Sequence, residues 1–394
     1  MSSRRQLWPF AALSASYFAH IGFFNPYLPL WLQELGYGLL AIGLLTSLQS
    51  ATRLFAPYLW GWLSDHTGHR VRLLRLCAGV ALLASLALWR PWGVVGLFLV
   101  LLVMFTHTSA MMPLSEAVLA QHVSRDSGFD ARRYGRVRLW GSLGFLVTVL
   151  AAGAWFERHG LGSFPVWASA TLLAVVASVW AMPGRPEATH ASHEAVRIWP
   201  VLRHPPVAWF FVSVFFHVLA HLFVYIFFSL YLDALGYGKE VIGLLWAVAV
   251  VVEIGWFYTQ GRWLPRLALA HWLVLAAGLM ALRMGVTAAA GPWLWALFLA
   301  QVVHAITFAA HHSVCIAWLS EHFPDRLRAR GQALYAMLGY GLSGVVAGSV
   351  GGWVSSRWGL AAVFWLAAAS AALAMGAAWQ TVRSVAPGRA AARG

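Results

Sequence analysis

The 394 residues of this chain predict an all-α membrane protein with twelve transmembrane helices in two pseudo-symmetric six-helix bundles. Three observations carry that prediction. Residues 30–45 read LWLQELGYGLLAIGLL and residues 230–245 read LYLDALGYGKEVIGLL, identical at ten of sixteen positions two hundred residues apart. Each copy joins two hydrophobic helices through an LGYG loop, so a unit of about half the chain is repeated. With 60% hydrophobic residues, 10% charged residues, 23 Trp and a mean hydropathy of +0.69, the chain has too little polar surface to cover a soluble globule. Finally, twelve apolar segments approach the ~20 residues needed to cross a ~30 Å hydrocarbon core.

The first span, 8–33, follows Ser2, Ser3, Arg4 and Arg5 and contains His20, Asn25 and three prolines. It has no Ala-x-Ala-like cleavage site at its end, so it reads as an uncleaved helix. Five more apolar runs complete the first bundle, 1–182: spans at 40–63 with Arg53, 73–89, 93–121 with His107 and Glu116, 139–156 and 164–182. Residues 183–206, PGRPEATHASHEAVRIWPVLRHPP, form the one long polar stretch, and five prolines with several charges mark it as a flexible cytoplasmic linker. The second bundle, 207–382, repeats the pattern with spans at 207–232, 241–261, 267–289, 292–319, 332–355 and 360–381. They carry His217 and His221, then Glu253, Arg283, and His304 with His311 in turn. The eleventh holds Gly344, Gly348 and Gly352 at four-residue spacing, which suits close helix contact. A basic cytoplasmic tail, 383–394, is expected to be disordered.

A formal charge of +14 invites a nucleic-acid reading, and the placement of the basic residues argues against it. With both termini cytoplasmic, 21 of the 27 Lys and Arg fall on the cytoplasmic side. Arg90, Arg158, Lys239 and Arg357 lie outside, and Arg53 and Arg283 lie within helices, which is the positive-inside pattern; the expected location is a bacterial inner membrane. The clusters Arg70/Arg72/Arg75, Arg132/Arg133/Arg136/Arg138 and Arg326/Arg328/Arg330 follow spans two, four and ten. Cys77 and Cys315 are expected to be small core residues, since neither has a metal-ligand spacing.

Between spans two and three, Gly61-Trp62-Leu63-Ser64-Asp65-His66-Thr67-Gly68-His69-Arg70-Val71-Arg72-Leu73 resembles the G-x-L-a-D-r-x-G-r-k-x-x-l loop of the major facilitator superfamily. Glycines permit the tight turn, and Asp65 can pair with a helix N-terminus or an Arg of the other bundle. The resemblance implies a cytoplasmic gating loop built on Gly61, Asp65, Gly68 and Arg70. His69 departs from the usual Arg or Lys, and the second copy keeps little beyond Gly261, with Pro265 in place of Asp65, so the latch is expected to be asymmetric. Residues 134–142, YGRVRLWGS, resemble the 3-phenylpropionate permease group, as do Gln301-Val302-Val303-His304, Thr307-Phe308 and the LGYG loops. That group is similar to the oligosaccharide/proton symporters, and the resemblance covers nearly the whole chain. Glu116 stands where the group often has Asp.

An ionisable side chain at the centre of a membrane helix costs roughly 2.5–3.5 kcal/mol, so Arg53, Glu116, Glu253 and Arg283 must face a cavity or one another. Arg53 and Glu253 occupy equivalent points of the two repeats, and equivalence does not imply contact. Glu253 with Arg283, on consecutive helices, is the expected pair. Glu253 is the best candidate for proton coupling, because a carboxylate inside the membrane can gain and lose a proton within a transport cycle; Glu116 and His304 are the others. His217/His221 and His304/His311 each share a helix face by spacing. The resemblance implies that spans one, four, seven and ten line a central cavity, which puts His221, His304 and His311 forward as substrate contacts, and the charges of Arg53 and Arg283 within their spans put these two forward as well. His20 and His107 are expected to be hydrogen-bonded packing residues. Dense aromatics, Tyr17, Phe23, Phe24 and Tyr27 in the first span and Phe223, Tyr225, Phe227 and Phe228 in the seventh, suit a flat aromatic ligand whose carboxylate pairs with an Arg.

The expected function is proton-coupled uptake of a small organic anion, an aromatic carboxylate resembling 3-phenylpropionate, by alternating access. A proton-driven exporter of drugs or metabolites comes second, and a sugar or nucleoside proton symporter third. The expected partners are the small-molecule substrate, protons and the lipid bilayer, with no nucleic acid, no cofactor and no metal, and the protein is expected to be a monomer. No Ser/His/Asp arrangement or Walker sequence supports an enzyme or ATP coupling.

Overall fold

The computed structural model describes residues 3–125, 128–129, 131–184, 198–323 and 327–391. Ten helical segments among them are long and apolar enough to span a bilayer. They are α2 (Leu39–Thr67), α4 (Val94–Leu119), α5 (Gly135–His159), α6 (Leu161–Trp180), α7 (Pro205–Ala234), α8 (Lys239–Arg266), α9 (Leu269–Ala289), α10 (Leu294–His322), α11 (Arg330–Trp358) and the apolar part of α12, Leu360–Val385. Two further helices, α1 (Ser3–Glu34) and α3 (Arg70–Ala87), are of spanning length. His20, Asn25 and three prolines dilute the first, and Arg70, Arg72 and Arg75 open the second. With these two the segments reach the expected twelve. The expected linker lies largely outside the described residues, as do 392–394 of the expected tail. From 383 to 391 the tail is no separate element, because α12 continues as one helix from Leu360 to Ala391.

Both LGYG loops fold alike. Gly36 and Gly236 take left-handed φ values of 87° and 86°, which a side chain would oppose. Tyr37 N–H donates to Leu32 O at 3.1 Å and Tyr237 N–H to Leu232 O at 3.0 Å, the bonds that close a helix C-terminus on a left-handed residue. Each tyrosine hydroxyl then ties down the next connection, Tyr37 on Trp92 O and Tyr237 on Gly291 O.

The chain forms two compact units, one of Met1–Tyr37, Ala51–Ser192 and Gly238–Leu244, the other of Gly38–Ser50, His193–Tyr237 and Leu245–Gly394. In the first, α1 packs on α5 and α6, and α3 on α4 and α6; in the second, α7 packs on α11 and α12, and α9 on α10 and α12. The repeat therefore extends from words to packing. Trp31 stacks on Phe164 in the first unit at 4.9 Å between ring centroids, and Tyr231 meets Phe364 in the second at 4.8 Å, at the same offset of two hundred. In the second unit the glycines of α11 face residues 38–50 as expected of a small-residue seam. A Cβ on Gly344 would strike Ser50, one on Gly348 would strike Gly43 and Ser47, and one on Gly352 would crowd Leu40.

One departure from symmetry matters for the site. α2 breaks into Leu39–Thr52 and Ala56–Thr67, with Arg53, Leu54 and Phe55 in a turn. Pro57 has no N–H for the Arg53 carbonyl and its ring clashes with it, so the ladder stops there. The second repeat has Phe257 at that place, and helix runs unbroken over Lys239–Trp263 past Glu253.

Candidate functional site

Among the described residues of the second unit, Arg283 of α9 is the most deeply placed Lys or Arg, with 3% of its surface exposed. Its Nη2 donates to Gln301 Oε1 at 2.8 Å and its Nη1 to Thr307 Oγ1 at 3.0 Å, both on α10. Nη1 also lies 3.3 Å from His304 Nδ1. A guanidinium only donates, so Nδ1 accepts, and the proton of neutral His304 is left on Nε2. That nitrogen faces Glu253 Oε2 of α8 at 3.6 Å. The direct Glu253–Arg283 pair expected from sequence is thus replaced by a relay through His304. Three helices supply one ionic network, with a single histidine in contact with both charges.

Around it the α7 and α10 histidines meet in two pairs, so His304 and His311 both face α7. Helix α10 is π-helical over Ala305–Ala310, between the two. His304 also reaches α8 and α9, and His311 stacks on His217 of α7 at 3.7 Å and 11°. His311 also lies 3.6 Å from Cys315 Sγ, and Cys315 and Cys77 are both buried free thiols, as expected. His217 Nε2 donates to the Thr307 carbonyl at 2.7 Å. His221 stacks on Phe308 at 5.0 Å and lies 5.2 Å from the His304 ring, 2% exposed, with neither ring nitrogen bonded. Phe308 stacks on His304 in turn at 5.0 Å.

The first unit holds the remaining expected residues in separate places. Arg53 occupies the turn within α2, and Tyr17 of α1 lies within electrostatic reach of Arg53, Glu116 and Arg138. Glu116 of α4 pairs with Arg138 of α5 at 2.7 Å, both sides partly exposed, and Arg138 also lies over the Phe18 ring. His20 is a packing residue bonded to Thr171 Oγ1 at 2.9 Å, and His107 Nδ1 bonds back to Val103 O. In the α2–α3 loop, Gly68 is left-handed and closes the helix on Ser64 O, and Asp65 meets Arg70 at 3.4 Å. Asp65 therefore finds a partner within its own loop. Arg70 Nε adds a bond to Ser64 Oγ. Gly61, Asp65 and Arg70 line a pocket of about 140 Å³ with Trp60, Pro113 and Leu114.

Gln301 and Thr307 stand three residues either side of His304, and that spacing is the signal in the sequence that they share its surroundings. Arg138 belongs to a basic cluster that marks topology, and Glu116 in the preceding span is the signal for its pairing.

Two helical units on one repeated plan, with an ionic network among membrane-spanning helices, form the architecture that the sequence led one to expect of a secondary transporter. A family model described as the MFS_1 like family matches residues 7–367, and the chain belongs to that family. It is 30% identical over 326 residues to the maltose permease of Geobacillus stearothermophilus, covering 82% of this chain and 81% of the relative. It is 26% identical to the probable 3-phenylpropionic acid transporter of Escherichia coli strain K12, covering 91% and 94%. Among solved structures, the nucleoside transporter NupG matches with a TM-score of 0.83 at 16% identity, covering 97% of this chain and 99% of that one. A POT family transporter in complex with a thioalcohol conjugated peptide matches at 0.72 and 12% identity, covering 93% of each chain. The chain is thus a multi-pass membrane transporter of the major facilitator type, as its loop motif led one to expect.

Proposed function

We propose that this transporter takes up a small organic anion, an aromatic carboxylate of the 3-phenylpropionate kind, together with a proton, across a bacterial inner membrane with both termini in the cytoplasm. The observation that supports it is Arg283, a buried guanidinium held by neutral acceptors, with its nearest carboxylate one histidine away. Ionised Glu253 balances Arg283 across His304 when no substrate is present. Once Glu253 takes a proton, that balance is lost and a substrate carboxylate restores it. An unbalanced charge inside the membrane costs roughly 2.5–3.5 kcal/mol, so the two mixed states, anion without proton and proton without anion, are disfavoured on the order of 100-fold. One proton then moves with one carboxylate, and transport of a monoanion is electroneutral. Phe308, half-buried and stacked on the buried His221 and His304, is the ring against which a flat ligand would stack.

Proteoliposomes with an imposed pH gradient and labelled 3-phenylpropionate, benzoate, maltose and uridine test this reading. Accumulation of an aromatic acid, abolished by a protonophore and insensitive to membrane potential, is expected. Accumulation of maltose or uridine with no acid moved would instead establish a sugar or nucleoside proton symporter, a second reading favoured by the 30% identity to a maltose permease.

A further inference from the structure

We propose that the end of the second unit bearing Arg203, Arg266 and Arg383 is a binding surface for anionic phospholipid, with the guanidinium groups taking headgroup phosphates. This surface is independent of the transported substrate. Arg203 lies over the Trp199 ring at 5.2 Å, Arg266 over Trp263 at 4.4 Å and Arg383 over Trp379 at 5.9 Å. The three pairs come from separate parts of the chain: the short helix Trp199–Leu202 that leads into α7, the end of α8, and α12.

Packing brings the pairs to one level. Ser213 of α7 donates to Ala374 O of α12, and Ser370 of α12 donates to Phe216 O of α7, so the two helices run antiparallel. The step from Ser213 back to Arg203 equals the step from Ala374 on to Ser384, which places Arg203 near the level of Arg383. Helix α9 places Arg266 in the same way. A Cβ on Gly278 would meet Met375 Sδ and one on Gly285 would meet Trp365, so α9 begins, at Leu269, close to the level of Arg383. Trp272 Nε1 then donates to Leu264 O at 3.0 Å and holds the turn that carries Arg266 against the start of α9.

What points to an anionic partner is that these cations have none of their own. All three are exposed, and among the described residues none of them makes an ion pair or donates a hydrogen bond. Segments 198–210, 258–272 and 376–394 together hold six Arg and no Asp or Glu. Arg75 of the first unit shows the contrast: it also lies over a tryptophan, Trp180, but donates to the Trp180 and Met182 carbonyls. A guanidinium over an indole still has N–H donors to spare, and two of them fit one phosphate side by side. Tryptophan settles at headgroup depth in a bilayer, so the arginines that lie on these rings stand at the level of the phosphates. Trp199, Trp263 and Trp379 are 58%, 42% and 46% exposed, and offer acyl chains an apolar wall that a free phosphate ion would not use. With the termini in the cytoplasm as proposed above, this end meets the inner leaflet.

The test uses full-length protein in neutral detergent, titrated with phosphatidylglycerol or phosphatidylcholine and read by native mass spectrometry for retained lipid. The wild type is expected to retain phosphatidylglycerol at least about tenfold better, and combined Arg203→Gln, Arg266→Gln and Arg383→Gln to retain the two lipids alike. Wild-type preference in that variant would overturn the proposal, as would equal retention of both lipids by the wild type. Combined Arg90→Gln, Arg158→Gln and Arg357→Gln removes the same charge elsewhere and should keep the preference; its loss there would make net charge the cause and overturn the surface. On the unaltered protein, added salt should release phosphatidylglycerol and spare phosphatidylcholine, and retention indifferent to salt would count against the proposal equally. Inorganic phosphate is expected to leave the lipid bound, and displacement of the lipid by it would assign these guanidinium groups to a free anion instead.

Discussion

Arg283 shows what one residue does to a membrane interior. Its fork reaches Gln301 and Thr307 at once, a geometry that a lysine ammonium on a flexible stem does not reproduce. Arg283→Lys should therefore keep the charge and lose the fit, lowering uptake at least about tenfold chiefly through KM, a loss on the order of 1.4 kcal/mol in binding. Initial-rate kinetics in proteoliposomes check this, and an unchanged KM would remove Arg283 from substrate recognition. Glu253→Gln separates two functions, because a glutamine mimics the protonated acid permanently. Exchange should persist while pH-driven accumulation disappears, and accumulation by the variant would rule Glu253 out as the coupling group. The identities of these residues were legible in the sequence, since charges in apolar spans are conspicuous. Their pairing was not. A spacing reports which helix holds a charge and leaves open how the helices are rotated, which is why His304 came to stand where a direct ion pair was expected.

At the scale of elements, hydrophobic length placed the helices well and local irregularities poorly. The 40–63 span was expected to be continuous, and Pro57 breaks it at Arg53. Proline alone is an unreliable sign in membrane helices, as Pro26 and Pro29 lie inside the unbroken α1. The π-helical stretches Ala305–Ala310 and Tyr335–Leu342 carry no sequence mark at all, yet the first lies between His304 and His311 and the second opens at Tyr335. The glycine seam of α11 was readable, because a four-residue period of glycines has few other uses in a helix. Gly348→Val tests the seam. The new side chain would meet Gly43 O and Ser47, backbone and a short side chain that have little room to yield. Overpacking of this kind costs typically 1–3 kcal/mol, so detergent-solubilised protein should melt several degrees lower. A wild-type melting temperature would show that residues 38–50 are free to move away from α11.

The whole molecule is two copies of one plan with unequal chemistry. Helix pairings repeat and both LGYG turns coincide, yet among the described residues the network Glu253–His304–Arg283, with His304 and Arg283 buried, belongs to the second unit, and the first pairs Glu116 with Arg138 in a partly exposed place. The units also do not divide at the middle of the sequence. Residues 38–50 pack with the second unit and 238–244 with the first, where Tyr27 donates to Lys239 O at 3.1 Å and Glu157 accepts from Lys239 N–H. Each half of the sequence thus lends a segment to the unit built mainly from the other. Cutting the chain within 185–197 removes none of these contacts, and the two fragments made together should copurify and transport. Each fragment made alone leaves a seam uncovered: the α11 glycines lose residues 38–50, and Tyr27 and Glu157 lose the start of α8. Single fragments should then be degraded or aggregate. Fragments that are separately stable and fail to associate would mean that the lent segments contribute little to holding the units together.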